Sequence, residues 1–276
     1  MTLNPFLNSD RQLRNGWWVL IFFLLLAAFL LPMIMIAQEN QEAVSMGRQA
    51  LIILLASLIT QLARRKPLAE LFGTLNLGWL KELCVGGLIG AAMMLGPALA
   101  LGMFGWVDWR WNPMTLSALF SSVLLFAGVA IAEELLFRGF IFQRLISGLG
   151  QWPAQWIIAA FFLLTHSNNP GMTGGVKVMA SMNIFLASIL FGMALIRTKS
   201  LAMPLGLHWM ANWVQGSILG FGVSGTQQTG LFVPIFGAAP VWLTGGPFGL
   251  EASLPGLICV VITLLLLHRK KPTTNS

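Results

Sequence analysis

Glu133 and Glu134 are adjacent carboxylates inside LLFAGVAIAEELLFRGFIFQRL, and residues 115–132 before them hold no charge. A carboxylate at the centre of a bilayer costs roughly 2.5–3.5 kcal/mol on insertion scales. Such a pair therefore reads as a functional site whose partners must be found. Arg138 follows Glu134 by four residues, so a helix sets those two side by side, while Glu133 points about 100° away. Arg138 then pairs with Glu134 and leaves Glu133 to face a cavity. Only three histidines are available. His268 belongs to the terminal HRKK and reads as topology-setting polarity. His166 closes FFLLTH, and His208 lies in LGLHWMANW with Asn212 one turn on, on the same face. A carboxylate base or ligand, two imidazoles and an amide donor are the inventory for hydrolysis through an oxyanion. The chain has no HExxH and no GxSxG on a strand–helix turn. Neither the usual zincin arrangement nor a serine nucleophile is implied.

Composition fixes the solvent of the elements that must hold these groups. Of 276 residues, 57% are hydrophobic and 9% charged, against about 25% charged in soluble domains. A soluble chain of this kind would expose too much apolar surface, so the protein is polytopic in a lipid bilayer. Its net charge of +7 is spread over short loops rather than one patch, which argues against nucleic acid as a partner. Cys84 and Cys259 lie in apolar runs and read as buried small hydrophobes. With no Tyr, the interfacial belt must be built from Trp, and Trp17, Trp18, Trp106, Trp109, Trp111, Trp152 and Trp156 cluster near run ends.

Eight apolar runs are candidate transmembrane helices: about 16–37, 43–63, 83–106, 114–143, 156–166, 178–196, 201–221 and 253–268. The first exceeds a signal-peptide core and lacks a convincing small-residue cleavage site, so it reads as retained. No strand signal is visible. The expected class is all-α, with 1–276 forming a single integral-membrane domain. Eight spans put Arg11, Arg14, Arg64, Arg65, Lys66, Lys81, Arg144, Arg197, Lys199, Arg269, Lys270 and Lys271 on one side. Arg48, Arg110 and Lys177 fall on the other. Positive charge stays inside, so both termini are expected to be cytoplasmic. Arg144 reads as a plain interfacial anchor, and the site is expected in the cytoplasmic half of the bilayer. His166 strains that expectation, because it follows Trp152 by fourteen residues, ~21 Å of helix rise.

EELLFR at 133–138, FLLTH at 162–166 and HWMAN at 208–212 match, in order and spacing, the motifs EExxxR, FxxxH and HxxxN. In these the chain resembles the CPBP intramembrane proteases, also called the Abi or CAAX-protease-like family, which includes the type II CAAX prenyl endopeptidases. The resemblance covers about 114–221, the four-helix catalytic core. It implies hydrolysis of a peptide bond in a membrane-associated protein or peptide. In eukaryotic-type members that means prenylated CAAX proteins, and in many bacterial ones bacteriocin maturation or self-immunity. The expected location is a prokaryotic cytoplasmic membrane.

Carried over by motif, Glu133 matches the water-activating glutamate, and Glu134 with Arg138 the rest of the first motif. His166 matches the second motif, and His208 with Asn212 the third. Two mechanisms are open. In one, Glu133 assisted by His166 deprotonates a water, and His208 with Asn212 donate to the oxyanion. In the other, Glu133, His166 and His208 hold a divalent metal, zinc, whose bound water attacks. Asn212 on the His208 face suits an oxyanion donor better than a ligand and favours the metal-free form. Buried Glu, Arg and His also describe proton-coupled transporters, but the two halves of the chain show no evident repeat. A protease-derived scaffold that binds a membrane partner without cutting it is the third class, and the intact motif residues disfavour it.

Overall fold

The computed structural model describes residues 4–269. Lys270 and Lys271, counted above among the charges of one side, lie outside the described residues, as does the end of the chain at Ser276. The helices run in the order α1 (Asn15–Glu39), α2 (Met46–Ala63), a short α3 (Ala69–Phe72) and α4 (Leu77–Met103). Strand β1 (Val107–Trp111) follows, then α5 (Leu116–Glu134), a π turn (Leu135–Gly139), α6 (Phe140–Leu149), α7 (Gln151–His166) and α8 (Gly174–Thr198). Next come α9 (Ala202–Trp213), a second π turn (Val214–Ile218), β2 (Phe232–Phe236), the short α10 (Val241–Thr244) and α11 (Leu254–Arg269). Side-chain caps mark three helix starts: Ser45 accepts from the Arg48 N–H, Asn76 from Trp79 and Thr115 from Ala118.

The architecture is a helical bundle with the length and hydropathy of a polytopic membrane protein. Five stretches are long and apolar enough to cross a bilayer: α1, α2, α3 through α4, α5 through α6, and α8. The other expected runs also form helices, but α7 and α11 are shorter, at 16 residues each. The run at 201–221 divides into the 12 residues of α9 and the π turn.

One expectation is corrected outright. Strands β1 and β2 pair antiparallel, Val107 opposite Phe236 and Trp111 opposite Phe232. Trp109 and Trp111, which suggested an interfacial belt, are strand residues. The pairing was invisible in the sequence because each strand has only five residues. Its partner lies far along the chain, and Pro234, opposite Trp109, weakens any strand reading of FVPIF.

Two packing features position the site. Helices α4 and α9 cross at backbone contact: a Cβ on Gly86, Gly90 or Gly206 would lie 2.2, 2.1 or 2.0 Å from the carbonyl oxygens of Met203, Leu207 and Leu83. Small residues permit such an approach where no hydrophobic force between helices exists, and here they fix the height and rotation of His208. At one end of the bundle Arg144 reaches Glu70 and Asn15, Arg64 reaches Glu70, and Arg197 donates to the His268 carbonyl. Loops that charge alternation assigned to one side therefore do meet at one end. Arg110, on β1, is at the other.

Candidate active site

Helix α5 carries Glu133 and Glu134 at its last turn and opens at once into the π turn that holds Arg138. π turns inside α-helices recur at functional sites, and this one sits on the first motif. Arg138 Nη1 donates to Glu134 Oε1 at 3.2 Å, and both side chains are buried. The expected pairing holds. Arg138 Nη2 also donates to the Ser188 carbonyl at 3.1 Å and to Ser188 Oγ at 2.8 Å. Around the guanidinium stand three aromatic rings, with Cζ 4.8 Å from the Phe162 centroid, 5.1 Å from Phe191 and 5.7 Å from Phe137. A buried cation is held by one carboxylate, one α8 residue and the negative faces of those rings.

The third motif closes on the same carboxylate. His208 Nδ1 lies 2.8 Å from Glu134 Oε1, and since a carboxylate only accepts, the Nδ1–H donates. Glu134 Oε1 thus serves Arg138 and His208 together, a contact between α5 and α9 that the sequence did not foretell. The His208 ring stacks on Phe191 at 4.9 Å, and its Nε2 looks toward Glu133 Oε2 at 3.8 Å. Glu133 is the less buried glutamate, its side chain 26% exposed against 1% for Glu134. Glu134 is thus the enclosed carboxylate of the two, while Glu133 is partly exposed and its Oε2 has no hydrogen-bond partner. Asn212, half-buried, follows one turn beyond His208.

His166 joins through Phe162, the first residue of its own motif. Its Nδ1 is 2.8 Å from the Phe162 carbonyl oxygen, which fixes Nδ1 as the protonated nitrogen in that contact. The Phe162 ring lies 4.5 Å from the His166 ring and 6.4 Å from that of His208, bridging the two. The depth problem also resolves. Helices α6 and α7 are antiparallel neighbours joined at Gly150, so His166 is fifteen residues from Gln151 and Glu133 sixteen from Leu149. Both counts give about 23 Å of rise from the basic end. Glu133 and His166 therefore stand at similar height in the bundle, with α7 helical from Gln151 rather than from Trp156.

Arg144 is not a plain interfacial anchor. It is buried, at 8% exposure, in a cluster with Glu70 and Asn15. Three contributors to the site were missed in the sequence. Ser188 and Phe191 come from α8, where nothing ionisable drew attention. The third is Glu251, between β2 and α11. Its Oε2 accepts from the Ser224 N–H at 3.0 Å and from Ser224 Oγ at 2.8 Å. Ser224 is tied back through Asn169 Nδ2 at 2.9 Å, and the Asn169 N–H donates to the His166 carbonyl. Burial pushes the Glu251 carboxyl up, opposed by the Ser224 hydrogen bonds and by the positive fields of His166 and His208. A signal existed: Glu251 is the only acidic residue after Glu134.

Among the described residues no three His, Cys, Asp or Glu side chains are placed to hold one metal ion. His208 Nε2 and Glu133 Oε2 approach each other at 3.8 Å, but His166 stands apart beyond Phe162 and completes no third ligand. The residues present do not fit a three-ligand zinc site.

Fold and site together define a helical membrane protein whose carboxylates, imidazoles and amide, buried at Glu134 and His208 and half-buried at Glu133, His166 and Asn212, are groups of the kind that hydrolysis uses. Residues 115–214 match the family described as type II CAAX prenyl endopeptidase Rce1-like, and all seven motif residues, Phe162 included, fall inside that segment. The similarity runs from the start of α5 to just past α9, a little over a third of the chain. No curated protein matches it.

Proposed function

We propose that the chain hydrolyses a peptide bond of a membrane-associated protein or peptide, with Glu133 as the base. Glu133 takes a proton from water while the resulting hydroxide attacks the carbonyl carbon. The tetrahedral oxyanion accepts hydrogen bonds from His208 Nε2–H and the Asn212 amide. As the C–N bond breaks, Glu133 returns the proton to the leaving nitrogen, giving a carboxylic acid and an amine. His166, with Nδ1 tied to the Phe162 carbonyl, offers Nε2 as an acceptor for the water. Glu251 lies on that side, held by the Ser224 N–H and Oγ.

The observation that carries this reading is the shared oxygen of Glu134. To donate from Nε2 while Nδ1–H is bonded to Glu134, His208 must carry both protons, and Glu134 is the counter-charge for that form. Glu134 and Arg138 then act as positioning residues and Glu133 stays free to react. Asn212, one turn beyond His208, suits an oxyanion donor better than a ligand and favours the metal-free version of the mechanism. We further propose that all eight helical runs span the bilayer and that the basic end faces the cytoplasm. The test is a comparison of membrane peptides from cells carrying the parent chain and cells carrying Glu133→Ala at equal expression. Fragments present only with the parent chain support the proposal, and identical peptide sets overturn it.

A further inference from the structure

Far from the motifs, at the basic end of the bundle, a cavity of about 950 Å3 is lined by Arg14, Asn15, Arg64, Lys66, Glu70 and Arg144 among others. Four cations surround one carboxylate. That carboxylate is already committed, since Glu70 Oε2 takes a hydrogen bond from Gln61 Nε2 at 3.1 Å and from Arg64 Nη1 at 3.2 Å. Arg144 is the group left short. Its Nη2 stands 3.6 Å from the same oxygen and its Nη1 3.5 Å from Asn15 Oδ1. Charge-assisted bonds of this kind are normally about 2.7–2.9 Å. Its Nε, fully buried, has no protein partner. Arg138, also buried and also with an unpartnered Nε, makes the contrast in its Nη atoms, both bonded at 2.8–3.2 Å. A guanidinium with five donors, so enclosed, would be an expensive way merely to anchor a helix end.

The rest of the cavity suits an anion. Arg64 and Arg144 lie on the same Phe140 ring, each Cζ 5.8 Å from its centroid, which holds two like charges close together. The cavity size falls in the range of small-molecule sites. Trp18 lines it as well, and indoles favour the headgroup level of a bilayer. Paired arginines with a neighbouring lysine match the geometry and charge of phosphate.

We propose that this cavity binds a phosphate group, that of an anionic phospholipid headgroup, with Arg144 and Arg64 as its main donors and Lys66 at the rim. The site is independent of the proteolytic reading, and a failure of one leaves the other standing. The full chain, stripped of lipid in neutral detergent, is offered equimolar phosphatidylglycerol and phosphatidylcholine, and the retained lipid is counted by native mass spectrometry. The expected result is one retained phosphatidylglycerol in at least tenfold preference, lost in Arg144→Gln. Because Arg144→Gln disturbs a buried cluster, exposed Lys66→Gln is run beside it and is expected to weaken retention several-fold. Arg110→Gln at the opposite end leaves retention unchanged. Inorganic phosphate that displaces the lipid at millimolar concentration would keep the phosphate site but assign it to a soluble ligand, overturning the headgroup source. Equal retention of the two lipids, with no thermal stabilisation by inorganic phosphate, overturns the proposal, as does undiminished preference in both Arg144→Gln and Lys66→Gln.

Discussion

Replacing Glu134 with glutamine keeps the side-chain volume and removes the charge on which Arg138 and His208 converge. Arg138 is 0% exposed and Glu134 1%, so no water relieves the loss. Breaking one partner of a buried pair costs about 3–5 kcal/mol. The rings of Phe137, Phe162 and Phe191 and the Ser188 contacts remain in the variant and do not offset that change. With an unfolding entropy of ~2.1 cal/mol/K per residue over 276 residues, the cost corresponds to a fall in Tm of about 5–9 °C. Glu133→Gln differs in each respect. Its side chain is 26% exposed and its one close ionic contact is at 3.8 Å, a pairing worth less than about 1 kcal/mol, or roughly 2 °C. Loss of a general base costs about 10²–10⁴ in rate. The expected pattern is therefore an inactive but stable Glu133→Gln and a destabilised Glu134→Gln whose activity also falls. Melting followed by tryptophan fluorescence in detergent, with cleavage of a fluorogenic membrane peptide, reads both. Equal Tm losses and equal activity losses in the two variants would refute the assignment of helix faces and of roles.

Four further outcomes follow from the same geometry. Glu251→Gln removes a charge that burial disfavours while retaining an acceptor for Ser224. Tm should hold or rise while kcat drops about tenfold and KM stays put, and a lowered Tm with unchanged kcat would reduce Glu251 to a loop brace. Gly90→Ala places a methyl 2.1 Å from the Leu207 carbonyl, pushing α9 and His208 aside by about 1 Å, a misplacement that can cost ~10²-fold in rate. Gly96→Ala meets only the Cys259 Sγ at 3.5 Å and should be silent; equal effects would show that the α4–α9 crossing does not set the site. Chelation by 1,10-phenanthroline should leave activity intact, whereas loss reversed by added zinc would reinstate the metal mechanism. Reporter fusions after Ser276 and in the loop near Lys66 should be active only as cytoplasmic reporters, and a signal from the opposite compartment at either position breaks the eight-span arrangement.

What the sequence could reveal was what lies within one helix. The i,i+4 pair Glu134 and Arg138 needed only helical periodicity, and the exposure difference between Glu133 and Glu134 follows from their 100° separation. The apolar runs were equally legible, because burying a backbone in lipid demands helix. Contacts between helices were not. That His208 bonds Glu134 depends on how α9 is rotated, which the glycines of α4 decide through backbone approach. The burial of Arg144 depends on α3 folding across the end of the bundle to bring Glu70 alongside. The π turn at Leu135–Gly139 has no composition signature, and β1 waits for a partner over a hundred residues away. Glu251 was an isolated carboxylate in an apolar stretch, and such isolation should have drawn the same attention as Glu133.

The central claim is that Glu133 activates water to cut a peptide bond inside the membrane. Purified chain in liposomes, given membrane peptides in water enriched in oxygen-18, tests it by mass spectrometry of the products. The account expects the parent chain to yield fragments with one heavy oxygen in each new terminal carboxylate and Glu133→Gln to yield none. Labelled fragments from Glu133→Gln at the parent rate, or no fragments from either chain across a broad set of membrane peptides, would contradict it.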